Sequence, residues 1–408
     1  GASKQPNRDV QICYAAALIN SEGGAGKART VLNDLVKGTP NDTRVLYLLA
    51  MAERTDGDAR AAEATARRII AIDPTSVTGL RALVGVLLER YDYRQVVDLV
   101  SPLLKDPARA KGRELEGAAV LVQLGLAQQQ LAQWDAAIAA YTAAKTLTPR
   151  DPDIDAYLVQ ANITARRFDR ADVIAREALG RNPDQPRMVR LRAQALLKAG
   201  KAAEANRLLE DGVAKRPDDR EFVVGLADLY AEQKRTADAV RLLEQARKTF
   251  GDDQSLIMRL ANVYEGAGRL DEAERELMRL ISEDPLNADA MNSLGYMLAD
   301  RGLRLPEAIE FAQRAVKIEP ENPAYLDTLG WALFKQGRTD EAAEPLRKAA
   351  GMLTGNSVIQ DHHGDLLSKR GQDADAIAAW ERALAGDGED IDRAGIEKKI
   401  KAAKSRAK

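Results

Sequence analysis

A few short stretches of this 408-residue chain hold residue types that could do chemistry. Gly23-Gly24-Ala25-Gly26-Lys27 has the glycines and lysine of a phosphate-binding loop, in which backbone N–H groups cradle the anion and the ammonium reaches it. The pattern fails at both ends. Ala28 stands where a magnesium-binding hydroxyl is needed, Ser21 where the first glycine belongs, and no strand precedes, so the segment reads as a turn between helices. His362 and His363, with Asp361 and Asp365 beside them, have the donor types of a divalent-metal site. Adjacent residues on a helix point about 100° apart, so the two imidazoles do not chelate one ion, and structural or peptide contacts are the better reading. Cys13, between Ile12 and Tyr14, reads as helix packing. Asn162-Ile163-Thr164 matches a glycosylation acceptor but falls mid-helix and carries no weight.

The wider inventory is equally restrictive. One cysteine excludes a disulfide framework and a Cys-based zinc site, and two histidines leave little material for triads or metalloprotease motifs. No catalytic, cofactor-binding or metal-ligating residue is assigned, and the chain is read as non-enzymatic. Sixty basic against 62 acidic residues, a net charge of -2, argue against nucleic-acid binding through a global basic field. No apolar run reaches the roughly 18 residues of a membrane span. Gly1-Ala2-Ser3 lacks an initiator Met and resembles the scar of a cleaved tag, so any native signal or lipid-accepting cysteine is expected to lie upstream. With 45% apolar but only 4% aromatic residues, the core is built on Ala and Leu, which is a helical composition.

The elements that must position these residues declare themselves through proline. Pro40 and Pro74, Pro149 and Pro183, and Pro183 and Pro217 are each 34 residues apart; Pro217 and Pro285 are separated by twice that. Twelve residues before these prolines stands a small residue (Ala28, Ala62, Ala137, Ala171, Ala205, Ala273), and twelve earlier there is usually another, as at Gly125, Ala193 and Ala261. Small residues at fixed positions let two helices, A and B, approach closely, and the proline ends helix B because it cannot continue the hydrogen-bond ladder. Asp151-Pro152 and Asn322-Pro323 place a capping side chain before a first-turn proline, the opening of the next helix A.

On Leu124-Gly125, Ala137, Tyr141, Ala144 and Pro149, and again on Leu329-Gly330-Trp331 with Gly337 and Ala342, the chain resembles the tetratricopeptide repeat (TPR) family. The resemblance covers about residues 9–390 and implies an all-α, right-handed superhelical solenoid of about eleven helical hairpins, starting near 9, 43, 77, 114, 152, 186, 220, 254, 288, 323 and 357. The domain reading is a tag scar and disordered start at 1–8, units one to three at 9–109, units four to eleven at 110–390, and a capping helix with basic tail at 391–408. Pro107 and Pro149 are 42 residues apart, and the surplus around Ala108–Glu116 is expected to lengthen the first helix of unit four by two turns. A joint between shorter and longer arrays is the alternative.

In such a solenoid the A helices line a concave wall. The repeat frame places Arg187, Arg190 and Gln194, then Glu221 and Asp228, then Arg259, Asn262 and Glu265 on that wall, followed by Asn292 and Tyr296, Asp327 and Trp331, and Asp361 and Asp365. His363 takes the packed leucine position of its unit, with His362 leaning toward the wall. Trp331 divides between groove and core, whereas Trp380 falls at a core position. Mixed basic, amide, acidic and aromatic residues suit an extended or helical peptide. The Lys, Asn, Asn, Lys, Arg set with which chaperone-binding members grip a terminal carboxylate is not found.

Units nine to eleven, through Asn292-Ser-Leu-Gly-Tyr-Met-Leu-Ala-Asp300, Leu326-Asp-Thr-Leu-Gly-Trp331, His363-Gly-Asp365 and Ala379-Trp380-Glu381, resemble the carboxy-terminal repeats of bacterial envelope TPR lipoproteins. That resemblance implies a periplasmic or outer-membrane adaptor. Some members tether a carboxy-terminal processing protease and deliver substrates to it; others serve envelope assembly or exopolysaccharide export. TPR arrays also act as cytosolic regulators, which is the remaining reading.

Overall fold

The computed structural model describes residues 7–106, 110–388 and 391–406. Gly1-Ala2-Ser3, and with them the reading of a cleaved tag, lie outside the described residues. Among the described residues there are twenty-three α-helices and no strand. The first three hairpins are α1 (Arg8–Ile19) with α2 (Ala25–Gly38), α3 (Thr43–Thr55) with α4 (Ala59–Ile72), and α5 (Val77–Glu89) with α6 (Tyr93–Lys105). Then come α7 (Glu114–Gln130) with α8 (Trp134–Leu147), α9 (Pro152–Thr164) with α10 (Phe168–Arg181), α11 (Pro186–Lys198) with α12 (Ala202–Lys215), and α13 (Arg220–Glu232) with α14 (Thr236–Phe250). The last four are α15 (Gln254–Gly266) with α16 (Leu270–Glu283), α17 (Ala288–Asp300) with α18 (Leu305–Ile318), α19 (Pro323–Lys335) with α20 (Thr339–Met352), and α21 (Ser357–Lys369) with α22 (Asp373–Ala385). A single helix, α23 (Arg393–Arg406), ends the chain.

The odd-numbered helices from α1 to α21 are the A helices, and most of them start where a side chain meets their orphan N–H groups, α11 behind Gln185 being an exception. Asp42 accepts from Arg44 and Val45, Asp219 from Glu221, Asn287 from Ala290, and Asn322 from Ala324 just before Pro323. Several B helices start differently. Arg235 and Arg269 precede α14 and α16 without side-chain capping; each guanidinium instead binds an acid in the first turn, Asp238 and Glu272, at 2.8 and 2.7 Å. Each also lies over a tyrosine of the preceding A helix, Tyr230 and Tyr264, whose hydroxyl donates to Glu210 or Glu244 of the previous B helix. One set of contacts thus recurs 34 residues on and ties three helices together.

B helices end two residues before proline at Arg181, Lys215 and Glu283. Pro102 and Pro345 lie inside α6 and α20 and are exceptions to that role. The A-to-B turn needs a residue at positive φ. Gly200 and Gly337 supply it, but Tyr91, Ala132, Arg166 and Lys234 occupy the same place in sister turns. The small residue of helix A faces a large one of helix B: a Cβ on Gly364 would come within 2.5 Å of the Trp380 ring.

The chain divides into two compact units, Gly1–Gln128 with Ala139–Asp151, and Gln129–Ile138 with Pro152–Lys408. Within the first, Ile12, Leu32, Val45 and Leu49 head a core under α1 to α3. Within the second, a continuous core runs from Val189 to Leu366, with A helices packed on A helices as in α11 on α13 and α17 on α19. Burial against the neighbours stabilises hairpins that could not cover their own apolar faces. The surplus of the fourth unit gives α7 17 residues against 13 in α5, about one extra turn instead of two, with the rest in the turn at Ala110–Arg113. Helix α23 closes the end, burying Ile396, Ile400 and Ala403 on Trp380, Ala376 and Ala383. Among the described residues no helix is long and apolar enough to cross a membrane.

Candidate peptide-binding face

Five of the residues placed on the A-helix wall by the repeat frame converge in space. Arg190 and Gln194 of α11, Asp228 of α13, and Arg259 and Asn262 of α15 line one cavity of about 430 Å³, together with Gly225, Leu229, Glu232 and Lys234. The reason is the packing: three A helices lie side by side, and residues at one repeat position face the same way. Arg259 donates from Nη1 to Asp228 Oδ2 at 2.5 Å. Burial raises the Asp228 carboxyl above its ordinary range, with Arg259 and Arg190 pulling the other way. Lys198 pairs with Glu232 at 3.3 Å. Arg190 runs over Gly225, where a Cβ would stand 3.0 Å from its Cδ; the glycine leaves the room that the arginine stem fills. Arg187 lies outside this cavity lining, bound to Asp153 at 2.7 Å and set over the Tyr157 ring.

Further along the same face, the residues are gathered into a buried cluster. Asp327 and Trp331, 4% and 7% exposed, belong to the core and not to an open wall. The Trp331 ring stacks on His362 with centroids 3.9 Å apart and planes 9° apart, and on Phe334 with centroids 5.4 Å apart. His362 Nδ1 lies 2.9 Å from Asp327 Oδ2. His362 is therefore the buried histidine, filling the contact between α19 and α21. His363, expected at the packed position, is only half-buried beside Arg347, Asp375 and Arg382, and burial lowers its pKa. Tyr296 is half-buried 6.2 Å from His362. Asn292 Oδ1 and Asp327 Oδ1 are buried without a hydrogen-bond partner among the described residues.

Asp361 and Asp365 have a different fate. Lys399 of α23 donates to both, at 2.8 and 2.9 Å, and Trp380 Nε1 donates to Asp365 at 3.1 Å. The capping helix shares one cation between these two acids, so they anchor the end of the stack. Burial raises the Asp361 carboxyl, and Lys399 opposes that rise. Periodicity alone did not reveal Lys399 as their partner; the signal was a lysine on a segment outside the repeat frame. Gly225 and Lys234 were also missed as parts of the cavity. Among the described residues no cluster of three His, Cys, Asp or Glu side chains is placed to hold a metal.

With hairpins, small-residue contacts and A-helix face described, the protein class follows: the chain is a tetratricopeptide repeat protein. Sequence profiles for that repeat match residues 22–77, 196–256, 230–294 and 324–352. A TPR repeat-containing protein of Pseudomonas aeruginosa is 44% identical over 80 residues, which are 20% of this chain and 14% of that protein. The matched region thus spans a small part of that relative's length. Among solved structures, yeast Tom70 superposes over 98% of this chain and 97% of its own, with a TM-score of 0.54 and 12% identity. A chain of the APC/C Cut9–Hcn1 hetero-tetramer covers 97% and 96% at a TM-score of 0.43 and 13% identity. The repeats and the fold are those of a protein-interaction scaffold, a class whose partners are proteins.

Proposed function

We propose that the A-helix face of α11, α13 and α15 binds a segment of a partner polypeptide, and that the chain is a bacterial envelope adaptor bringing a carboxy-terminal processing protease together with its substrates. One observation carries the binding reading: Arg190, Gln194, Asp228, Arg259 and Asn262, from three successive repeats, surround a single cavity. Amides there can meet a peptide backbone, and the charges can select its side chains. The periplasmic setting and the protease rest on the resemblance of the segments around Asn292–Asp300 and Leu326–Trp331 to the repeats of that group. Reconstitution tests the proposal. The full chain should accelerate cleavage of an unfolded substrate by such a protease, and Arg259→Ala with Asn262→Ala should remove the acceleration while the helical melting curve is retained. Unchanged acceleration by the double variant contradicts the placement on this face; no acceleration by the wild type contradicts the adaptor role.

A further inference from the structure

We infer, resting on the peptide-binding reading above, that the cavity between α11, α13 and α15 reads acidic side chains, with the guanidinium of Arg190 taking the carboxylate of an Asp or Glu in the bound segment. The key residue is Arg190. Among the described residues it makes no ion pair or hydrogen bond. Its nearest acidic influence, Asp228, already holds Arg259 at 2.5 Å, and Glu232 is met by Lys198. Lys234, in the turn after α13, also lines the cavity without an ion pair among the described residues. The charge left uncompensated around the cavity is therefore positive.

A second arginine offers a comparison. In the first compact unit Arg54 of α3 lays its guanidinium where a Cβ on Gly85 of α5 would stand, while Arg190 of α11 lays its stem over Gly225 of α13. Four residues beyond Gly85 stands Glu89, which binds Arg54 at 3.3 Å. Four residues beyond Gly225 stands Leu229, which lines the cavity and offers no charge. An arginine laid over a glycine thus meets an internal carboxylate in one place and none in the other. The Arg190 stem lies against Gly225 and the residue lines the cavity, so part of its ordering precedes a ligand. Gln194 and Asn262 have no hydrogen-bond partner among the described residues and supply donors for the second carboxylate oxygen or the adjoining backbone. A cavity of about 430 Å³ admits one or two side chains. A guanidinium–carboxylate contact of this kind is charge-assisted and can be bidentate, which gives selectivity over the isosteric amide.

The test selects random dodecapeptides on the full chain from two displayed libraries, one joined to its carrier through the peptide C-terminus and one with free C-termini. The first offers only side-chain carboxylates. The pool retained by the wild type from that library should be enriched in Asp and Glu. A retained peptide should bind about tenfold more tightly than its Glu→Gln twin. Arg190→Gln should remove both the enrichment and the difference, and Arg190→Lys should keep part of each. Should Arg190→Gln lower the melting temperature, the wild type alone gives the second measurement: added salt should weaken the acidic peptide more than its amide twin. Equal enrichment by wild type and Arg190→Gln, or enrichment confined to free C-termini, overturns the inference. Peptides retained without acid preference, yet lost in Gln194→Ala with Asn262→Ala, sink the inference and leave the binding face standing. If the wild type retains no peptide, the binding face itself fails and this inference with it.

Discussion

The imidazole of His362 lies flat on the indole of Trp331, with centroids 3.9 Å apart, and its Nδ1 sits 2.9 Å from Asp327 Oδ2. This contact joins α19 to α21 and takes Asp327 and Trp331, which the repeat frame places on the binding wall, into the interior.

It follows that Trp331→Ala acts on the fold. The ring is 7% exposed and stacks on His362 and Phe334, so its removal should cost about 3–5 kcal/mol of stability. Tyr296→Ala, at a half-buried site beside it, should cost clearly less. Denaturant unfolding of the two variants checks the order, and equal losses would contradict it.

Two residues beyond His362 on α21, Gly364→Ala places a methyl within 2.5 Å of the Trp380 ring. The helices must separate or the indole must turn, at about 1–3 kcal/mol. A second change, Trp380→Leu, should recover part of that loss because the smaller side chain vacates the space. Urea midpoints for both single variants and the double variant measure the coupling.

Lys399 donates to both Asp361 and Asp365, which are largely buried. Lys399→Met leaves two acids facing each other without a cation and should destabilise the C-terminal hairpin by about 2 kcal/mol. Asp361→Asn in that background should restore part of it. Hydrogen exchange in α21 to α23 is the readout, and peptide capture at α11 to α15 should not change.

Acid should weaken the ion-pair network between α14 and α16. Arg247 donates to both carboxylate oxygens of Asp252, each at 2.9 Å, and holds the Asp252 pKa below its ordinary 3.8; Arg279 adds to this. The unfolded chain binds that proton more readily, so the pair's contribution is present above about pH 4 and is lost as pH falls through the depressed value. Asp252→Asn should lower stability by about 1 kcal/mol at neutral pH. The gap from wild type should close in the acid range below the ordinary carboxylate value of 3.8. Melting temperatures across that range decide it.

The hairpins were legible because proline, small residues and capping side chains each recur in register, and these are local effects of sequence. The A-to-B turn of the fourth hairpin shows the limit: Ala132 takes the positive-φ place with no glycine to mark it, and only the period locates it. The binding wall was legible in part. Residue register gives the direction of a side chain from its helix, and on that basis Arg190, Gln194, Asp228, Arg259 and Asn262 fall together. Register does not say what stands opposite. Asp327 and Trp331 are covered because the next A helix brings His362 against them, and Asp361 and Asp365 because α23, outside the repeat, brings Lys399. Such partners depend on packing between helices far apart in sequence.

The most direct test of the binding face is a photo-crosslinker, benzoylphenylalanine, placed at position 262 on exposed α15 or at position 211 on α12, with the purified protease and an unfolded substrate as partners. Polypeptide adducts should form at 262 and be absent at 211. Adducts at 211 alone, or equally at both positions, would contradict the assignment of the A-helix face as the binding surface.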